Sequence, residues 1–336
     1  MSGIIAVILA GFSNGSFPAP AKGITAWKWE HIWLVYSYCA MALLPVGLAL
    51  AFGHRTILQQ LFRYPGLAEK VAIFGMLFGI GSLLFGVSLV RLGMAITNAL
   101  VNGIVAFCGS LGPVLIGSVR VRSASLSWLI GGLVLLALSL VMCAAASVSR
   151  DRAQGAEGSG SGPVSQSIGA VFIAVLAGIM SAMINIGFAY GAPLATAARD
   201  AGCPLILASV AIWVPVLLGG AIFNVGYPAY VIHRRGEWSM FLSSNNMLLW
   251  VRASSMGILW FGAILLYGFG ASMMGSGGAV YGWAVIITVS ILTSNGWGAV
   301  TGEWKNSGAK PKVLMWLSTV LLVSSLVLLA GHHLPK

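Results

Sequence analysis

Residues 127–147 read SWLIGGLVLLALSLVMCAAAS, 21 positions without a charged side chain or a proline. A helix rises about 1.5 Å per residue, so this run reaches about 30 Å, the thickness of a bilayer's hydrocarbon core. Nine more apolar runs fill the chain on either side, at 3–21, 32–52, 71–90, 93–117, 167–190, 204–226, 247–268, 279–300 and 313–331. The composition agrees, with 58% hydrophobic and only 7% charged residues and a mean hydropathy of +0.94. A water-facing domain carries about a quarter charged residues. The expected fold is therefore all-α and integral to the membrane, with ten transmembrane helices. Too little chain remains outside the spans for a soluble domain with an ordinary enzyme site.

The formal charge of +11 does not point to nucleic acid, because the basic residues are scattered in short loops and no polybasic arm forms. Orientation in the bilayer and contact with lipid headgroups account for them. Cys39, Cys108, Cys143 and Cys203 fall in or beside apolar spans without a CxxC pair, and read as small buried hydrophobes. The first span has no basic segment before it and runs into polar sequence, so it reads as a mature helix rather than a signal peptide. His31, His54, His233, His332 and His333 lie at span edges with no metal-ligand spacing. No P-loop, nucleophile elbow or metal cluster is present, so no cofactor, metal or catalytic residue is expected.

The least apolar segment is 148–166, VSRDRAQGAEGSGSGPVSQ, whose glycines, serines and charges suit a flexible linker. It divides the chain into five spans at 1–147 and five at 167–336. The two parts echo each other. Gly11, Ser13, Asn14, Gly15, Phe17 and Pro20 in the first span stand against Gly178, Ser181, Asn185, Gly187, Phe188 and Pro193 in the sixth. The fourth and ninth spans share small residues, among them Gly109, Gly112, Gly278 and Gly282, expected at close helix contacts. An odd number of spans per part places the two in opposite topology, the plan of an inverted-repeat transporter. With ten spans, loops on the side of the termini hold seven basic residues and those on the other side eleven. The positive-inside rule then puts both termini outside and the linker in the cytoplasm.

A transporter needs polar groups at the membrane midplane, and broken helices supply them. In Ser13-Asn14-Gly15-Ser16-Phe17-Pro18-Ala19-Pro20 two prolines withhold backbone donors beside the amide of Asn14. Asn98, Asn102, Asn185, Asn224 and Asn295 are further amides inside spans. Asn98 and Asn102, four apart, share one helix face. Such amides either bond across helices or line a polar cavity, and the sequence leaves both readings open. Trp33 and Tyr36 enter the second span three residues apart, and Trp283 lies in the ninth. Their flat rings suit the C–H face of a sugar, or an aromatic belt at the interface. The candidate solute-binding set is Asn14, Phe17, Trp33, Tyr36, Asn98, Asn102, Asn185 and Trp283. None of the seven acids falls in the middle of a span. Glu30 and Glu303, nearest to helix ends, are the candidate proton-coupling groups.

Ala19-Pro20-Ala21-Lys22 followed by Trp27-Lys28-Trp29-Glu30 and Trp33 resembles the start of the L-rhamnose–proton symporter family, within the drug/metabolite transporter superfamily. Gly79-Ile80-Gly81, Phe85-Gly86 and Leu92-Gly93-Met94 resemble its third and fourth helices, and Glu303-Trp304-Lys305-Asn306-Ser307-Gly308 with Pro311 its ninth-to-tenth connection. The resemblance implies two inverted five-helix repeats in a bacterial inner membrane, carrying a deoxy sugar with protons. Gly270 to Ser294 holds no acid, a departure from the family's pattern. The expected activity is secondary active transport of a small polar solute, L-rhamnose or a related sugar with proton symport, by alternating access. The partners are then sugar, protons and membrane lipid, with no nucleic acid; the sequence leaves the oligomeric state open. The alternatives are an uncoupled sugar carrier, a metabolite or drug exporter of the same fold, and a non-transporting receptor or enzyme subunit.

Overall fold

The computed structural model describes residues 2–120, 123–153, 168–242, 247–305 and 307–331. Arg122, Glu157, Asn306, His332, His333 and linker residues 154–166 lie outside the described residues. The described elements are all helical, and ten are long and apolar enough to cross a membrane. They are α1 (Ser2–Gly23), α2 (Trp29–Phe52), α3 (Pro65–Leu92), α4 (Met94–Leu115), α5 (Leu126–Arg152), α6 (Ile168–Asp200), α7 (Leu205–Arg235), α8 (Met247–Met273), α9 (Gly275–Val300) and α10 (Ala309–Ala330). Each overlaps one of the ten apolar runs. The helix of α5 continues to Ala153, into the start of the expected linker, and carries Arg150 and Arg152 in its last turn. There the cations face the negative end of the helix dipole.

Proline and glycine set the interruptions. Regular helix in α1 stops at Ser16, and a 3₁₀ turn over Ala19–Gly23 follows the two prolines. In α2 one widened turn over Cys39–Leu43 precedes Pro45. A proline ring displaces the backbone bond one turn back, and a π-turn absorbs the mismatch. Regular helix in α6 stops at Tyr190 and resumes at Ala192, with Pro193 in its first turn. Gly93 alone joins the helices of α3 and α4, at φ 78°, a conformation that favours glycine.

The helices pack in a regular scheme. α1 lies against α8 and α9, while α6 lies against α3 and α4. α2 meets α8, and α7 meets α3; α4 meets α5, and α9 meets α10. The pairs α2·α7, α4·α9 and α5·α10 join the first five helices to the last five. Adding five to every helix number, with eleven counted as one, leaves this set of pairings unchanged. Hydroxyls pin α5 to α10, since Ser139 Oγ and Ser318 Oγ lie 2.9 Å apart and Ser325 Oγ donates to the Gly132 carbonyl at 2.7 Å.

The four glycines expected at close helix contacts all make one, Gly109 against the Trp283 ring of α9. Gly112 packs on Ile186 of α6, Gly282 on Tyr267 of α8, and Gly278 on the Ala271 backbone across the α8–α9 turn. The tightest backbone approach between distant helices is α3 on α7. A Cβ added at Gly75 would collide with the Val216 carbonyl, and one at Gly219 with that of Ala72. With no hydrophobic drive between helices in lipid, such contact is a main source of packing energy. Gly75→Ala is therefore expected to lower the thermal unfolding midpoint of detergent-purified protein by roughly 3–8 °C, an overpacking cost. Gly47→Ala, where a Cβ meets nothing within 4 Å, should leave it unchanged.

Candidate solute site and ion-paired face

The interruption after Ser16 leaves Asn14 and Phe17 at the end of the regular helix of α1. Asn14 is half-buried and donates Nδ2–H to Ser290 Oγ of α9 at 2.9 Å. Its carbonyl oxygen has no hydrogen-bond partner among the described residues. Phe17 stacks on Tyr36 with centroids 5.3 Å apart, and Trp33 meets the same tyrosine edge-on at 5.0 Å. Trp260 of α8 approaches from the other side at 6.2 Å. The Trp33 indole N–H donates to Asn224 Oδ1 of α7 at 3.2 Å. The hydroxyl of Tyr36 has no hydrogen-bond partner among the described residues. This cluster therefore combines apolar ring faces with amide and hydroxyl groups that retain unused bonding capacity.

The sixth helix repeats the motif in a closed form. Asn185 is fully buried. Its Nδ2 donates to the carbonyls of Gly109 at 2.8 Å and Ala279 at 2.9 Å, and its Oδ1 accepts from the Tyr267 hydroxyl at 2.5 Å. Three residues on, Phe188 stacks on Trp213 of α7 at 4.7 Å, as Phe17 stacks on Tyr36 of α2. Trp283 lies edge-on to Tyr267 at 5.5 Å and donates Nε1–H to the Val105 carbonyl at 3.1 Å. Both amide N–H groups of Asn185 are occupied, so it joins α4, α6, α8 and α9.

Asn98 and Asn102 are half-buried on α4, and neither has a described hydrogen bond. They share a helix face with Val105 and Gly109, which meet Trp283. The structure thus brings Phe17, Trp33 and Tyr36 together, with Asn14 one turn before Phe17 and bonded to Ser290 of α9, and Asn185 with Trp283, while Asn98 and Asn102 continue the α4 face towards its N-terminal end. Trp260, Trp213, Tyr267 and Ser290 belong to these clusters and escaped the sequence reading. The repeated Asn-x-x-Phe signals that each part wants a partner ring; which ring supplies it depends on helix packing. Asn295 stands apart, beside a cavity of about 430 Å³ lined from α9 and α10 with the connection between them.

Glu30 and Glu303 occupy the face where the C-terminal ends of α1, α5, α7 and α9 meet. Glu30 pairs with Arg235 at 2.8 Å. Glu303 pairs with Lys22 at 2.5 Å and Arg150 at 3.4 Å. Lys28 pairs with Glu237. That bond holds the Glu237 carboxyl below the usual carboxylate range, with burial opposing it and the charges of Lys28, Arg235 and His31 assisting. Each of these four pairs links the first five helices to the last five. The face is further closed by Trp27 Nε1–H on the Met240 carbonyl at 3.3 Å and Arg252 on the Gly23 carbonyl.

Ten apolar helices with polar groups buried between them define an integral multi-pass membrane protein. The family model described as L-rhamnose-proton symport protein (RhaT) matches residues 1–331, and the chain belongs to that family. Similar proteins include the L-rhamnose-proton symporters of Mannheimia succiniciproducens, 23% identical, and Pectobacterium atrosepticum, 24% identical. That of Escherichia coli O1:K1 / APEC is 25% identical. Each similarity covers 96% of this chain and 94% of the relative. These relatives are named as transporters, not enzymes.

The two asparagines are expected to respond differently to truncation. Asn185→Ala strands the buried Gly109 carbonyl and removes one bond each from the Ala279 carbonyl and the Tyr267 hydroxyl, which keep their mutual bond at 3.1 Å, a loss of about 1–3 kcal/mol. It should lower the thermal unfolding midpoint clearly, whereas Asn14→Ala should change it little. A fluorescence melting curve of each purified variant checks this.

Proposed function

We propose that the chain is a proton-coupled carrier of L-rhamnose or a closely related sugar in a bacterial inner membrane. It works by alternating access between two inverted five-helix repeats of the drug/metabolite transporter type. The observation that carries the reading is the group of half-buried Asn14, Phe17 and Trp33 around buried Tyr36, in a chain that belongs to a sugar–proton symport family along nearly its whole length. A ring face takes up the C–H side of a pyranose while amide and phenol groups bond its hydroxyls. The Asn14 oxygen, the Tyr36 hydroxyl and the amides of Asn98 and Asn102 have that capacity to spare. Asn185 and Trp283 form the counterpart wall in the sixth and ninth helices and become available as the second part rearranges.

The repeat is supported by the helix pairings that survive the shift of five, and by Asn-x-x-Phe stacking on an aromatic of the next helix in both parts. Five helices per part put the two in opposite orientation, so a rearrangement of one mirrors the other across the membrane. Repeat boundaries at 1–147 and 167–336, with a flexible joint between, follow from the same reading. The basic residues favour a cytoplasmic linker face. Glu30 and Glu303 contribute to coupling by holding this face shut through pairs that cross between the parts.

Rhamnose counterflow in proteoliposomes tests the assignment. Wild-type protein should exchange labelled rhamnose and accumulate it when a pH gradient, acid outside, is imposed. Asn14→Ala and Tyr36→Ala should each weaken apparent affinity at least about tenfold, equal to about 1.4 kcal/mol, with protein yield retained. Absence of sugar exchange by the wild type overturns the reading, and exchange without a response to pH favours an uncoupled carrier.

A further inference from the structure

His31 lies within the ion-paired face, against Glu237. It lies on the first turns of α2, is 0% exposed, and sits against the Phe241 ring with centroids 4.9 Å apart. Its Nε2 is 3.2 Å from the backbone carbonyl of Glu237. A carbonyl only accepts, so in the neutral ring Nε2 carries the hydrogen and Nδ1 keeps a bare lone pair. Nδ1 is buried and has no hydrogen-bond partner among the described residues. Oε2 of Glu237 is likewise buried and without a partner. A buried acceptor left unpaired is costly, and here two of them belong to residues already in contact.

The two ion pairs around His31 balance in charge while it is neutral, and Arg234 and Arg252 stand outside those pairs as further cations. Lys28 and Glu30 come from the start of α2, and Arg235 and Glu237 from the end of α7 and the connection beyond it. His233 and Arg234 stand on the last turn of α7. From α8, Arg252 is engaged by the Gly23 carbonyl. One added proton on Nδ1 turns a bare acceptor into a donor and puts an imidazolium beside the Glu237 carboxylate.

We propose that His31, with Glu237 as its counter-ion, is the binding site for the coupling proton, and that protonation there favours closure of the ion-paired face. The proton comes from water, bonds to the Nδ1 lone pair, and leaves by the reverse step with no other bond changed. Lys28 reaches from the first five helices to the Glu237 carboxylate of the last five, and protonated His31 adds a second positive charge acting on the same carboxylate, so the proton strengthens the closed contact. Opening parts His31 from Glu237 and removes the charge that held the proton. By reciprocity, whatever opens the face releases the proton. The linker face is then the side on which it leaves. This inference rests on the sugar–proton reading above and names its proton site.

Purified His31→Gln, Glu237→Gln and wild type in proteoliposomes, with rhamnose added outside, test it. His31→Gln should keep sugar exchange within about twofold of wild type, lose accumulation under an imposed pH gradient, and give no sugar-driven alkalinisation of the medium. Glu237→Gln keeps the imidazole but removes its counter-ion, so the pH midpoint of uptake should fall by about one unit, a tenfold loss of proton affinity. If His31→Gln accumulates rhamnose with the wild-type pH profile, the site is wrong while the carrier reading stands. If that variant does not fold, the Glu237→Gln midpoint decides, and an unchanged midpoint overturns the proposal. Wild type that exchanges sugar without moving protons overturns both proton coupling and this site.

Discussion

Hydrocarbon offers no hydrogen bonds, and that constraint shapes this molecule more than any single contact. A polar group inside the bilayer must find a partner in the protein or line a wet space. Helices satisfy the backbone, so ten of them make up nearly all of the described fold. Side chains obey the same rule. Asn185 meets it through the Gly109 and Ala279 carbonyls and the Tyr267 hydroxyl. Thr97, at the joint of α3 and α4, meets it through the Ser88 carbonyl at 2.9 Å. Ser139 and Ser318 meet it through each other.

Departures from the rule are then informative. Asn14, Asn98 and Asn102 are half-buried and have amide bonding capacity to spare among the described residues, as has the Tyr36 hydroxyl, and buried groups of Ser37, Thr56, Ser110, Ser209 and Trp213 also lack a partner there. His31 and Glu237 depart from it on the ion-paired face. The three amides and the Tyr36 hydroxyl suit a neutral polyhydroxylated solute, which needs donors and acceptors but no counter-charge. The His31 and Glu237 pair suits a proton, which needs a lone pair and a charge to hold it. On the reading proposed above, sugar and proton occupy separate sites and are coupled through the contact between the two sets of helices rather than through one shared carboxylate. This fits a symport family member with no acid in the middle of a span.

The two five-helix parts are alike in pairing and unlike in detail. Phe17 on Tyr36 is half open and Phe188 on Trp213 is buried, although both follow an asparagine by three residues. Four ion pairs between the parts gather where the C-terminal ends of α1, α5, α7 and α9 meet. Such pairs are individually weak where water reaches them. That suits a contact that must break and re-form, in contrast to the glycine-mediated backbone contact of α3 with α7.

Length and composition alone determined the class and the number of helices, because apolar runs of about 20 residues have one stable fate in a bilayer. The prolines at 18, 20 and 193 marked the breaks in α1 and α6, since proline acts on its own backbone. The Asn-x-x-Phe echo marked the amide and ring of each cluster. What only the tertiary structure decided was partnership. Whether an asparagine bonds a neighbour or stays free depends on which helix faces it, so Asn14 and Asn185 share a motif and differ in state. Glu30 and Glu303 looked like isolated acids at helix ends and proved to be paired across the two parts. His31 looked peripheral because it lies near a span edge. Its burial arises from α7 and the following connection, more than 200 residues away in sequence, whose approach no local pattern records.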